Sequence, residues 1–133
     1  MSGLFQWGEF ALASGAHSPW KIDCDALSVG DLTALAALAA TRLPYRFTRV
    51  EGVPRGGLAF AEALRRHTVA STAPVVLLVN DVWTTGESMR RFQASLGLGK
   101  PPLGVPVRGL VIFARAVPPP WVTALFTAAE MLR

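Results

Sequence analysis

Asn80 and Asp81, followed after two residues by Thr84-Thr85-Gly86-Glu87-Ser88, bring together residue types suited to a phosphorylated sugar. A carboxylate and a carboxamide can both hydrogen-bond sugar hydroxyls, and only the carboxylate adds negative charge. A hydroxyl-rich loop with a glycine, opening a helix, offers an anion free backbone N–H groups and the positive end of the helix dipole. A second stretch, Gly52-Val53-Pro54-Arg55-Gly56-Gly57, ends in the pair Gly56-Gly57, whose missing Cβ atoms let backbone approach a ligand closely. Both stretches also have plainer readings. Thr84-x-x-Glu87 has the form of a capping box, and Gly-Gly is common turn chemistry.

These loops need elements that aim them. The apolar run over residues 75–79 predicts a strand buried on both faces, ending at Asn80 and Asp81. Met89, Phe92 and Leu96 repeat at helical spacing after it. Residues 46–51 predict another strand, with a helix after it on Leu58, Ala61 and Leu64. Ser28-x-x-Asp31 predicts the capped start of an alanine-rich helix with Leu32, Leu35 and Leu38 on one face. Residues 107–114 predict a third strand, and Pro118-Pro119-Pro120 opens an expected last helix with Trp121, Leu125, Ala128 and Leu132 on one stripe. Both site loops follow a strand and precede a helix. In an open parallel sheet they therefore share the carboxyl edge, where ligands bind.

The run over residues 74–88 resembles the phosphoribosyl pyrophosphate (PRPP) motif of the type I phosphoribosyltransferases. The resemblance implies Asn80 and Asp81 on the ribose hydroxyls, and Thr84, Thr85, Gly86, Glu87 and Ser88 around the 5-phosphate. It implies Arg55, Gly56 and Gly57 on the pyrophosphate, with Asp81 and Arg55 as catalytic residues. The segment from Phe10 to Asp23, with Ser14-Gly15 and Ser18-Pro19-Trp20, is similar to the N-terminal hood of orotate phosphoribosyltransferases. Where many of those enzymes have a lysine before Ser-Gly this chain has Ala13, so base contacts fall to Lys21 or Arg115. The resemblance thus implies an open, mostly parallel α/β sheet flanked by helices. It also implies transfer of ribose 5-phosphate to a base, orotate first, in pyrimidine nucleotide synthesis, with Mg²⁺ held mainly by the substrate. The alternative is a non-catalytic sensor of PRPP or nucleotide, or a subunit that binds a partner. Asn80 in place of the usual first acid favours that alternative. So does the short stretch 68–74, where orotate enzymes carry a further strand and a mobile loop. Arg65, Arg66 and His67 are the only local cations there, at an expected helix end.

The chain of 133 residues predicts one domain, with residues 1–25 as hood and 26–133 as core. Half its residues are hydrophobic and 17% are charged, which excludes a disordered chain and suggests apolar surface covered by a second copy in a homodimer. The net charge of +4 rests on arginine far more than lysine, which suits anionic substrates. No basic run with interleaved aromatics marks a dedicated nucleic-acid surface. Cys24 is the only cysteine, so neither an internal disulfide nor a cysteine-based metal site is expected. With no signal peptide and no long apolar span in the sequence, a cytoplasmic protein is the expectation.

Overall fold

The aromatic-rich N-terminal segment forms a hairpin in which strand β1 (Phe5–Ala11) pairs antiparallel with β2 (His17–Ile22). The structure is a computed structural model that describes residues 4–11, 17–97 and 105–127, with side chains at 4–7, 22–97 and 105–127. Ala13 and the Ser14-Gly15 turn lie outside the described residues. The Phe5 ring meets Phe113 edge-on, with centroids 6.3 Å apart, and this aromatic contact docks the hairpin on the main sheet. A short 3-10 turn, Cys24–Ala26, follows, capped by the Asp23 carboxylate, which accepts the Asp25 N–H at 3.1 Å.

The predicted capping box is present at the start of α1 (Val29–Arg42), where Asp31 accepts from the Ser28 N–H at 2.8 Å and Ser28 Oγ from the Asp31 N–H at 3.0 Å. Leu32, Leu35 and Leu38 are only half-buried, whereas Ala36 and Ala39 are fully buried. The small residues decide the packing. Alanine at the contact lets α1 lie close against α2 (Leu58–Leu64), which follows strand β3 (Arg49–Gly52).

Strands β3, β4 (Val76–Trp83), β5 (Val107–Ala114) and β6 (Val122–Thr127) form a parallel sheet in that order. Period-two alternation in β4 sends Leu77 and Val79 to the core under α1 and α2. It sends Val76 and Leu78 to a second core, shared with Met89 of α3 (Glu87–Ser95). With a helix on each face, the run must be apolar throughout, as its sequence is. Residues 68–75 contain no strand, and they are stitched to the entrance of β3: the Val69 N–H donates to Phe47 O at 3.0 Å and the Thr48 N–H to Val75 O at 2.9 Å. The connection therefore lies at the amino edge of the sheet.

Three expectations need correction. The strand predicted from residue 46 begins at Arg49, because 44–48 form the turn that closes on Val69 and Val75. β4 does not end at Asn80 and Asp81 but runs on to Trp83, paired with β5. The expected last helix is a strand over Val122–Thr127; Ala128 and Leu132 lie outside the described residues. Geometry explains the strand. Val122 pairs in register with Gly109, so residues 115–121 must carry the chain back past about five residues of β5, roughly 16 Å at strand rise. Seven helical residues span only about 10 Å, while a Pro-rich extended segment covers about 3.1 Å per residue. Residues 118–120 thus serve as an extended strap. The buried positions of β6, Val122 and Leu125, happen to fall three apart and so imitate a helical stripe.

Candidate functional site

The turn after β3 and the end of β4 touch directly. The Val53 N–H donates to Val79 O at 2.8 Å, continuing the parallel ladder, and the Gly57 N–H donates to Val53 O at 2.9 Å to close the turn. Within this turn the Pro54–Arg55 peptide is cis. A Cβ on Gly57 would come within 2.2 Å of Val79 O, so Gly57 is there to let the turn lie on β4. A Cβ on Gly56 would come within 2.4 Å of Asp81 Oδ2. The Asp81 carboxylate therefore rests on the bare Cα of Gly56. Beside this contact is a cavity of about 350 Å³ whose walls include Arg55, Gly56, Asp81, Cys24, Asp25 and Ile112.

Asp81 Oδ1 accepts the Val82 N–H at 2.7 Å. Burial holds the Asp81 carboxyl above the ordinary carboxylate range, and the Asp25 charge pushes the same way, against backbone hydrogen bonds that pull it down. Cys24, in the same wall, has its thiol pushed up to about 12 by burial and by Asp81, Asp23 and Asp25, which keeps it neutral. Asn80 does not line this cavity. Its Oδ1 accepts the Asp81 N–H at 2.9 Å, so its amide steadies the neighbouring peptide.

Gly86 starts α3 with a left-handed φ of 80°, as only glycine does at little cost. No side chain caps this helix, so the expected Thr84-x-x-Glu87 capping box is not formed. Glu87 instead pairs with Arg91 one turn on, and its N–H lies a long 3.4 Å from Thr85 Oγ1. The left-handed Gly86 carries the chain into the helix in a geometry that leaves Thr84 outside capping position. The first N–H groups of α3 remain open to an anion, among the exposed Thr85, Glu87 and Ser88. Gly86 itself is buried on the indole of Trp83, where a Cβ would meet ring carbon at 2.1 Å. Arg90 covers the same ring at 5.4 Å and donates from Nη1 to Thr85 O at 2.8 Å. Trp83, Arg90 and Asp25 were not among the residues singled out from sequence. A tryptophan immediately before the hydroxyl-rich loop was the available signal for the first two.

Arg115 stands at the same carboxyl edge, where its N–H donates to Trp83 O at 2.9 Å. Burial lowers its guanidinium pKa, and it is not part of the cavity wall. The backbone of Lys21 belongs to β2, and its side chain lies outside those described. Arg65, Arg66 and His67 form a 3-10 turn at the far end of α2, where Arg65 pairs with Glu62 at 2.9 Å; the turn passes into the amino-edge connection. α2 is seven residues long, so this turn stands about 10 Å along the helix from the loop at residues 53–57, and Arg65 Nη1 donates to Val50 O at 3.3 Å, within β3 and not in the cavity wall. Among the described residues no three acidic, histidine or cysteine side chains gather as metal ligands.

No protein-family profile matches the chain. Its structure is similar to that of an orotate phosphoribosyltransferase from Aeropyrum pernix, with a TM-score of 0.71 and 24% identity over 97% of this chain and 90% of that one. The fold is that of the type I phosphoribosyltransferases. An orotate phosphoribosyltransferase from Mycobacterium tuberculosis in complex with inorganic phosphate aligns with a TM-score of 0.67 and 16% identity, over 96% of this chain and 90% of that one. In that fold the three corrected helix and strand assignments leave the predicted α/β class intact, with the parallel sheet flanked by helices as expected. In sequence, the chain is 36% identical over 108 residues to one of the subunits of glutamyl-tRNA(Gln) amidotransferase in a Roseiflexus species and in Roseiflexus castenholzii. The match takes in 79% of this chain and 20% of theirs, so the chain spans about a fifth of the length of these curated relatives. No helix among the described residues is long and apolar enough to cross a membrane.

Proposed function

We propose that the protein is a phosphoribosyltransferase that binds Mg²⁺-PRPP and transfers ribose 5-phosphate to a base. The contact that carries this reading is Asp81 seated on Gly56, because it joins a hydroxyl-binding carboxylate and a close-approach backbone turn in one cavity, with the uncapped start of α3 following Asp81 by five residues in the chain. Arg55 and the Gly56 amide bind the pyrophosphate, Asp81 the ribose hydroxyls, and residues 84–88 the 5-phosphate. In the reaction the bond between C1 and the pyrophosphate oxygen breaks, its electron pair leaving with pyrophosphate. A base nitrogen forms the new bond to C1 and gives up its proton to solvent. The chain's contribution is to orient the reactants and to set Asp81 against the positive charge that develops on the ribose.

A divalent cation fits this site through the substrate. One half-buried carboxylate and one exposed one, Asp81 and Asp25, suit Mg²⁺, which keeps its waters and takes most ligands from phosphate. When bound, Mg²⁺ shields the charge of the leaving pyrophosphate. Orotate is the first acceptor to try, on the similarity of the hood segment, with Lys21 or Arg115 toward the base. We place the activity in the cytoplasm, with a homodimer covering the exposed apolar side chains Phe5 and Trp7.

One observation favours a second reading, a non-catalytic sensor of PRPP or nucleotide. Residues 68–75 lie at the amino edge, so this connection cannot close over the pyrophosphate. Pyrophosphate release from Mg²⁺-PRPP separates the two, measured with orotate and then with a panel of purines and other pyrimidines. Base-dependent release establishes the transferase. Binding of Mg²⁺-PRPP without release under any base establishes the sensor, and no binding at all removes both.

A further inference from the structure

Asn80 leaves the ribose site with one carboxylate where the PRPP motif has two, and the Asn80 amide is engaged by the Asp81 peptide at 2.9 Å. The cavity nevertheless has a second carboxylate, from a distant part of the chain. Asp25 stands in the wall opposite Gly56 and Arg55, on the 3-10 turn that follows the hairpin. Its position is built. Asp23 caps that turn through the Asp25 N–H at 3.1 Å, and Gln6 Nε2 fixes the Asp23 carboxylate at 2.8 Å. The Asp23 N–H, donating to Leu4 O at 2.6 Å, ties the whole turn to the first strand. Asp23 is thus occupied in holding the turn, while Asp25 forms no ion pair among the described residues.

On the phosphoribosyl-transfer reading, we infer that Asp25 is a catalytic residue that supplies the second negative charge facing the ribose, in place of the acid absent at position 80. On this reading the ribose takes the cavity that Arg55, Gly56 and Asp81 line together, and Asp25 lines the same cavity. A negative charge there interacts more strongly with the cationic transition state than with neutral ground-state ribose, so it acts on kcat more than on KM. The mutual influence of the charges is already visible: Asp25 raises the Asp81 carboxyl and, with Asp81 and Asp23, the Cys24 thiol.

The test is steady-state pyrophosphate release by the full chain with Mg²⁺-PRPP and the best acceptor, comparing the parent, Asp25→Asn and Asp25→Glu. Asp25 is exposed, so Asp25→Asn keeps the fold, and its melting temperature verifies that. Asp25→Asn lowers kcat roughly ten- to a hundredfold with KM for PRPP changed little. Asp25→Glu, which keeps the charge, retains most of the parent kcat. A raised KM for the base with kcat unchanged overturns the inference and makes Asp25 a base ligand. An unchanged kcat in Asp25→Asn, or a kcat in Asp25→Glu as low as in Asp25→Asn, overturns it too. A parent protein that releases no pyrophosphate with any base defeats the transfer reading itself, and the role of Asp25 with it.

Discussion

Gly56→Ala tests the joint between the two halves of the site. The new methyl would lie 2.4–2.7 Å from the three carboxylate atoms of Asp81, about 1 Å inside ordinary contact, so the carboxylate has to move by that much. The φ of Gly56 is not in the left-handed region, so the backbone accepts alanine without strain. What moves is the end of one side chain held by the Val82 N–H at 2.7 Å, and the cost to folding is about 1 kcal/mol, the usual net worth of one hydrogen bond. The cost to function is larger. A 1 Å misplacement of an aligned group removes on the order of a hundredfold in rate. The expected result is a melting temperature lowered by only a few degrees, with kcat/KM for pyrophosphate release down about a hundredfold. Gly30→Ala serves as control, since its Cβ would meet nothing closer than 3.6 Å. If Gly56→Ala keeps the parent kcat/KM, Asp81 is not positioned by Gly56 and the central contact of the site is wrong.

Asp81→Asn is expected to abolish turnover and keep the fold. Because burial raises the Asp81 carboxyl above 3.8, the native state binds its proton more readily than the unfolded chain, so this residue's contribution to stability falls as pH rises from about 3.8 through the raised value. Denaturant titrations should therefore show Asp81→Asn as stable as the parent or more so at pH 7, with any advantage fading toward pH 3; a marked loss at pH 7 would refute the desolvation argument. Gly86→Val combines a left-handed φ with ring contact at 2.1 Å, and should weaken PRPP binding at least tenfold by calorimetry. An unchanged dissociation constant would put the phosphate elsewhere. With the 68–75 connection on the far edge, water should reach the ribose and give a slow background of pyrophosphate release without base, beneath the faster base-dependent release. Strictly base-dependent release would mean that another segment covers the cavity.

How much of this was legible in the sequence follows from which forces are local. Residues 76–79 announce a buried parallel strand because both faces of β4 are covered, and the Ser28 capping box is satisfied within four residues. The end of β4 was not legible, because Asn80 and Asp81 look like loop residues until β5 is there to pair with them. The last element failed for a similar reason. Its period of three in buried positions is compatible with a helix, and only the distance the strap must cover, set by the register of Gly109 with Val122, excludes one. In the site, Asp81, Gly56 and Gly86 were visible as types at a spacing. Their partners Trp83, Arg90 and Asp25 were not, since each acts through a contact that exists only after folding.

The direction of the chain settles what can reach the ligand. β3 and β4 deliver their loops to the carboxyl edge, and α2 must then carry the chain back to the amino edge before β4 can start parallel to β3. In this chain the residues 68–75 between α2 and β4 lie at that amino edge, so this connection brings no cation to the site. The hairpin is under no such constraint. It packs at the carboxyl edge through Phe5 on Phe113, near the end of β5, and its following turn brings Cys24 and Asp25 to the cavity wall. A chain that has shortened its core connections can thus still vary its site from the N-terminal side, which is where the additional carboxylate is found.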